Sequence, residues 1–295
     1  MTIPASIWGS PQQKNRQSAK SKYKGNTQMY NLYETRTGEK DEVRAIRQVL
    51  DGGAEYNKNG FSIIRNFFSP KDLEFVKTDR DGFYSVMELC GNKIRSNLDL
   101  VENSKFSRIE SLVRPVVEDM FSEKFYIHQS RVNYKTGFGA NGWHWHSDFE
   151  TWHSQDGMPA PRCVTAMLAV TNNTPENGAL MVMPGSHRYF VSCRKTGDSD
   201  PLTNFADQKE GVPSSETLVE VSSKVGVSDV FTVEMEAGDM LIFDSNLLHV
   251  SNENRTAGER INLFFVYNCI DNKLKMPFSG NAPRPEQMGH REFIR

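Results

Sequence analysis

A mainly β fold with flanking helices, its core a jelly roll, is the class this sequence predicts. Three observations carry it. From residue 125 onward the chain falls into short apolar runs separated by Gly, Asn and Pro. Consecutive runs have no helical stretch between them, the pattern of a sandwich or rolled barrel rather than of alternating strand and helix. Helical spacing of apolar residues is concentrated before residue 122.

Taken in order, residues 1–40 are polar, with Gln, Lys, Ser and Thr scattered around Trp8, Tyr23 and Tyr30, and read as an N-terminal arm. Residues 41–295 then read as one domain, with a helical lead-in over 41–121 and the jelly-roll core over 125–295. In the lead-in, 41–50 and 69–89 read as helices, the second with Leu73 and Val76, then Phe83, Val86 and Met87, at roughly helical spacing. Ser69 supplies a cap for it, and Pro70 suits a first helical position. A short strand over 61–67 separates the two. The helix over 107–121 has an apolar stripe of Ile109, Leu112, Val113, Val116, Val117 and Met120. Strands are expected at 125–134, 163–171, 179–183, 230–236, 240–244 and 261–268, with turns at 172–178, 184–186 and 237–238. Residues 194–229, rich in Ser, Asp and Gly, read as a long excursion from the core.

Composition narrows the function. The chain has 295 residues, 35 Lys and Arg against 37 Asp and Glu, and a formal charge of −2. That balance argues against a protein held to nucleic acid or anionic lipid by bulk charge. No apolar run approaches the roughly 20 residues that span a bilayer. Residues 1–24 are basic without the apolar centre of a secretory signal, so the expected compartment is the cytoplasm. Cys90, Cys163, Cys193 and Cys269 are widely spaced and read as buried or free thiols.

Chemistry concentrates between residues 143 and 153, where Trp143, His144, Trp145, His146, Asp148, Trp152 and His153 fall together. In an extended segment residues two apart project to one side, so His146 and Asp148 can face the same ion. A neutral imidazole from a distant strand would complete a facial triad that leaves three adjacent positions open on an octahedral iron. His249, following a strand, turn and strand over 231–244, is the candidate. Arg260 comes eleven residues later and suits the distal carboxylate of a dicarboxylic cosubstrate, because a guanidinium binds carboxylates with two prongs. Each feature alone is commonplace; their order and spacing make the case. His144 adds a rival, since His-x-His-x-Asp also occurs in dinuclear zinc hydrolases, although the His those sites use after the Asp is Phe149 here. A packing or hydrogen-bonding role for His144 is the alternative.

The stretches 129–135 (Gln-Ser-Arg-Val-Asn-Tyr-Lys), 145–153 (Trp-His-Ser-Asp-Phe-Glu-Thr-Trp-His) and 156–159 (Asp-Gly-Met-Pro) closely resemble the signature of ectoine hydroxylases. These are members of the phytanoyl-CoA dioxygenase-like superfamily, which uses Fe(II), 2-oxoglutarate and O2. Asn177 to Leu180 and Pro184 to His187 are similar to a strand and turn common across it. The resemblance runs from about residue 56 onward. It departs at Trp143 and Gln155, where Phe and Glu are expected. It implies a double-stranded β-helix core, iron on His146, Asp148 and His249, and 2-oxoglutarate on Lys135 and Arg260 with Asn133 nearby. It also implies that Gln129 and Trp152 contact ectoine, a small zwitterion whose delocalised cation can lie on an indole face. Arg131 or Arg284 could meet the substrate carboxylate. The implied reaction gives 5-hydroxyectoine, succinate and CO2 in compatible-solute metabolism under osmotic or heat stress, and the implied assembly is a homodimer. A sister hydroxylase of a free amino acid such as proline, a zinc hydrolase and a non-catalytic jelly-roll binding module are the competing readings.

Overall fold

Buried on both faces, the strands of the second half read as nearly unbroken apolar runs, and they assemble into two antiparallel sheets packed as a jelly roll. The computed structural model describes residues 41–46, 50–78, 86–89, 92–95, 104–138, 142–193 and 212–278. The expected arm over 1–40 lies outside them.

In chain order the elements are β1 (Glu42–Ala45), α1 (Ala54–Asn59), β2 (Phe61–Ile64), a 3-10 turn (Pro70–Leu73), α2 (Glu74–Thr78), β3 (Val86–Leu89), β4 (Asn92–Arg95) and α3 (Ser104–Phe121). There follow β5 (Phe125–Lys135), β6 (Trp143–His146), α4 (Asp148–Asp156), β7 (Cys163–Ala169), β8 (Leu180–Val182), a second 3-10 turn (Ser186–Arg188) and β9 (Tyr189–Ser192). The chain continues through α5 (Ser215–Val225), β10 (Phe231–Thr232), β11 (Met240–Asp244), β12 (His249–Ser251) and β13 (Arg260–Cys269).

The large sheet runs β2-β11-β7-β13-β5-β4-β3 and the small one β10-β8-β12-β6. Between them lies a core in which Leu180 and Val182 of the small sheet meet Met167, Leu241, Phe243 and Phe264 of the large one. Alternate residues of the large sheet, among them Val132, Val164, Leu168, Ile242, Leu263 and Phe265, face outward and are covered by Phe106, Ile109, Val113 and Val117 of α3 and by Tyr56 of α1. On the outer side of the small sheet α5 packs Leu218, Val221 and Val225 against Trp145 and Leu248.

Several expectations are corrected. The helix over 41–50 is absent at its start, where β1 pairs antiparallel with β9, a strand not foreseen. Of the helix over 69–89 the described part is the 3-10 turn and α2, 79–85 lie outside the described residues, and Val86–Leu89 is a strand paired with β4. A short apolar run carries no intrinsic signal to separate the two, and tertiary pairing decides. The lead-in is therefore not purely helical: β2, β3 and β4 all extend the large sheet. Of the strand expected over 230–236 only Phe231–Thr232 forms, with Met235 bridging to Asn173. The excursion over 194–229 contains α5, started by Ser214, whose side chain accepts from Thr217 N at 3.2 Å, and ended by Gly226 in the left-handed region. Among the described residues no helix is long and apolar enough to cross a membrane. Cys163, Cys193 and Cys269 are buried and form no disulfide among the described residues; Cys90 lies outside them.

Candidate active site

His146 is the last residue of β6 and His249 the first of β12, and the two stand directly opposite in the antiparallel register. Their ring centroids are 4.2 Å apart. Asp148 enters differently from the expectation. The extended segment ends at His146, and Asp148 opens α4, whose start is capped by Ser147 accepting from Glu150 N at 3.3 Å. The turn from strand into helix, not strand alternation, swings the carboxylate back beside the imidazole. Ser147 followed by Glu three residues later is the sequence signal that would have found this helix. Gly157, at φ +73°, ends it where any side chain would run into the Lys275 carbonyl.

One ligand atom from each of His146, Asp148 and His249 lies within 4.8 Å of the others, and all three side chains are buried. His146 Nδ1 contacts the His144 carbonyl at 2.7 Å, and His249 Nδ1 contacts the Leu247 carbonyl at 2.9 Å. A carbonyl can only accept, so both Nδ1 atoms donate and the Nε2 atoms are left as the ligand positions. Burial first, then the His249 ring, pushes the His146 imidazole down to about 3, holding it neutral. Asp148 Oδ2 makes no hydrogen bond, and its nearest cation, Arg131 Nη2, stands at 3.9 Å. Two oriented imidazoles and a carboxylate with an orphaned oxygen fit a divalent metal that keeps positions open for other ligands.

The inner face of the large sheet forms a grid beneath this cluster. Lys135 pairs with Arg260; Asn133 pairs with Asn262; Arg131 pairs with Phe264, which neighbours Met167; Gln129 pairs with Val266, which neighbours Thr165. A bulge at His128, which β13 skips, switches the side from which β5 presents its residues: Phe125 and Ile127 join the outer core, whereas Gln129, Arg131, Asn133 and Lys135 line the inner face.

At the Lys135 end of the grid two cations sit side by side, both buried. Lys135 donates to Ser251 Oγ at 3.0 Å and to the Asn252 carbonyl, and Arg260 Nη1 donates to the Gly178 carbonyl at 2.5 Å. Neither has an ion-pair partner among the described residues, and Arg260 Nε has no hydrogen bond. Burial, and then the neighbouring guanidinium, draws the Lys135 amine from 10.5 to about 6; burial draws Arg260 down to about 10. A buried guanidinium beside an amine that burial strips of its proton, with Glu253 acting on Lys135 through space without pairing to it, suits an anion from outside. Asn133 Oδ1, one pair along, is likewise unpartnered.

Farther along the grid, Arg131 donates to Gln129 Oε1 at 3.2 Å and lies over the Phe264 ring at 5.0 Å. Trp152 is one turn beyond Asp148 on α4, packed with Phe149, Met158, Phe190 and Val266 and edge-on to His128 at 5.1 Å. Arg284 lies outside the described residues. The exposed His144 side chain takes no part in the ligand group; the residue contributes its carbonyl to orient His146. That removes the geometric basis of the dinuclear zinc reading. His153, stacked on Phe278 at 4.2 Å, packs. Sequence reasoning missed Ser251 beside Lys135, Phe243 against the His249 ring at 5.4 Å, and Phe264. Counting by twos from Arg260 would have found Phe264, because 260, 262 and 264 share a face.

Residues 56–262 match the phytanoyl-CoA dioxygenase (PhyH) family, and the chain belongs to that family. Among its relatives, the ectoine dioxygenase of Nocardia farcinica is 40% identical over 256 residues, which is 81% of this chain and 84% of that protein. A crystal structure of EctD from S. alaskensis with 2-oxoglutarate and 5-hydroxyectoine superposes with a TM-score of 0.71 at 28% identity, covering 90% of this chain and 95% of that one. The same enzyme with bound Fe gives a TM-score of 0.71 over 86% of this chain and 92% of that one.

Proposed function

We propose that this chain is a dioxygenase that hydroxylates ectoine to 5-hydroxyectoine while 2-oxoglutarate is oxidatively decarboxylated to succinate and CO2. One oxygen atom of O2 enters the new hydroxyl and the other enters succinate. The observation that carries the reading is a pair of buried basic side chains on the inner face of the large sheet, Lys135 and Arg260, which form no ion pair among the described residues and of which Lys135 reaches Ser251, two residues beyond His249 of the His, Asp, His cluster. A dicarboxylic keto acid is the anion that such a pair, next to a metal, is built to receive.

His146, Asp148 and His249 would hold Fe(II), which supplies the activation of O2 when bound. The protein's own share is positioning and exclusion. The carbonyls of His144 and Leu247 fix the imidazole tautomers, so that the ligand nitrogens need no rearrangement. Lys135 and Arg260 bind the distal carboxylate of 2-oxoglutarate, with Asn133 alongside; the arriving charge returns the proton that burial takes from Lys135. Gln129 offers a donor and an acceptor to ectoine, and Trp152 a π face to its cation. Arg131, held over Phe264, serves the substrate carboxylate, with Arg284 as the second cation proposed for it. Phe243, Phe264 and Trp152 keep water from the reacting carbon. The near-neutral chain charge supports a small-molecule enzyme without a nucleic-acid partner, and the buried cysteines, which form no disulfide among the described residues, support the cytoplasm; the homodimer rests on the family resemblance alone.

The test is mass spectrometry of ectoine incubated with the protein, Fe(II), 2-oxoglutarate and O2. The expected product has gained one oxygen atom, in step with succinate. Succinate formed with proline and not with ectoine would overturn the substrate assignment.

A further inference from the structure

The Tyr56–Asp244 pair lies outside the ligand cluster yet is tied to two of its members. Asp244 ends β11, and its buried carboxylate uses both oxygens: Oδ2 accepts from the Tyr56 hydroxyl at 3.0 Å and Oδ1 from Asn246 N at 2.8 Å. Its backbone is held as well, Asp244 N donating to the Gly60 carbonyl at 2.8 Å and its own carbonyl accepting from Leu247 N at 3.0 Å. These bonds clamp the turn over 245–248, which joins β11 to β12. From that turn two carbonyls reach the cluster. That of Leu247 accepts from His249 Nδ1 at 2.9 Å, and that of Ser245 accepts from N of Phe149, the residue after Asp148, at 2.8 Å. Asn246 Nδ2 braces the turn from outside on the carbonyls of His187 and Tyr189, both at 2.9 Å.

We infer that Tyr56 and Asp244 are positioning residues for the metal centre, setting through one turn the aim of His249 and the entry of Asp148. Tyr56 comes from α1, nearly 200 residues before His249 in sequence, so the lead-in is part of the site's support and not merely its cover. The inference rests on the proposed iron site. Outer partners of metal ligands characteristically change affinity by about 10- to 100-fold when removed. Tyr56→Phe deletes only the hydroxyl, and Asp244→Asn leaves one acceptor oxygen where two are used.

The measurement is the Fe(II) dissociation constant by anaerobic titration against a chelator, beside urea unfolding of the metal-free proteins. Wild type is expected to bind one Fe(II) per chain, and Tyr56→Phe and Asp244→Asn about 10-fold or more weakly. The double variant is expected to weaken binding by less than the product of the two single effects, since the two residues share one contact. Val117→Ala, a core truncation in α3 that removes none of these hydrogen bonds, is expected to lose stability with Fe(II) binding unchanged. Tyr56→Phe binding Fe(II) within about twofold of wild type overturns the inference while leaving the proposed function intact, as does weakening by Val117→Ala to the same degree. A wild type that holds no Fe(II) overturns both.

Discussion

Replacing Lys135 by methionine, similar in length and uncharged, is expected to stabilise the ligand-free protein while crippling its hold on 2-oxoglutarate. Burial and the Arg260 guanidinium draw the Lys135 amine from 10.5 to about 6. An unfolded lysine keeps its ordinary value, so between those pH values the unfolded chain binds the extra proton and stability rises with pH. The penalty is absent above pH 10.5, grows as pH falls and saturates below about 6. At pH 7 it is about 1.36 × 3.5, or roughly 5 kcal/mol. The hydrogen bonds to Ser251 and Asn252 offset about 1 kcal/mol each, leaving Lys135→Met ahead by about 3 kcal/mol. At pH 9 the penalty falls to about 1.36 × 1.5, roughly 2 kcal/mol, which the two lost bonds cancel. Urea unfolding at pH 7, 8 and 9 should show the variant's advantage shrinking toward zero. Calorimetry should show 2-oxoglutarate binding weakened by about 30-fold or more, the scale of a buried charge pair lost. A wild type more stable than the variant at pH 7, or a difference that ignores pH, would refute the reasoning.

Three other outcomes are expected. His146→Ala or Asp148→Ala should abolish iron-dependent succinate formation; retention in either variant would show that the ligand set is wrong. Arg260→Ala should raise the half-saturating 2-oxoglutarate concentration by about 30-fold or more with little change for ectoine, and an equal effect on both would remove its assigned role. Gly60→Ala places a Cβ within 2.6 Å of His187 Nδ1 at a backbone φ of +83°, and should lower stability by about 1–3 kcal/mol in urea unfolding; an unchanged midpoint would contradict the packing described here.

The half of the chain after residue 125 was legible because its apolar runs are short and bounded by turn residues, as Met240–Asp244 follows Gly238, and succeed one another with little helical pattern between them. The first third was not, since runs of four to six residues do not distinguish a helical turn from a strand, and β1 and β3 exist by virtue of partners distant in sequence or placed by the sheet. His146, Asp148 and His249 were found by spacing. The route was misjudged: Asp148 comes from a helix start, legible in Ser147 and Glu150 but outweighed by the assumption of an extended segment. Lys135 and Asn133 rested on resemblance, and only the cross-strand register explains why Lys135 faces Arg260. The Tyr56–Asp244 contact had no local signal, because 188 residues separate the two.

The bulge at His128 has an evolutionary side. Because Ile127 already faces the outer core and Gln129 the inner one, the extra residue sits between two segments whose facing would match without it. A lineage could therefore lose this residue and leave the facing of Gln129 to Lys135 unchanged. What would change is the wall beside Trp152, so the strand offers descendants a place to reshape what they admit without disturbing the oxidative machinery.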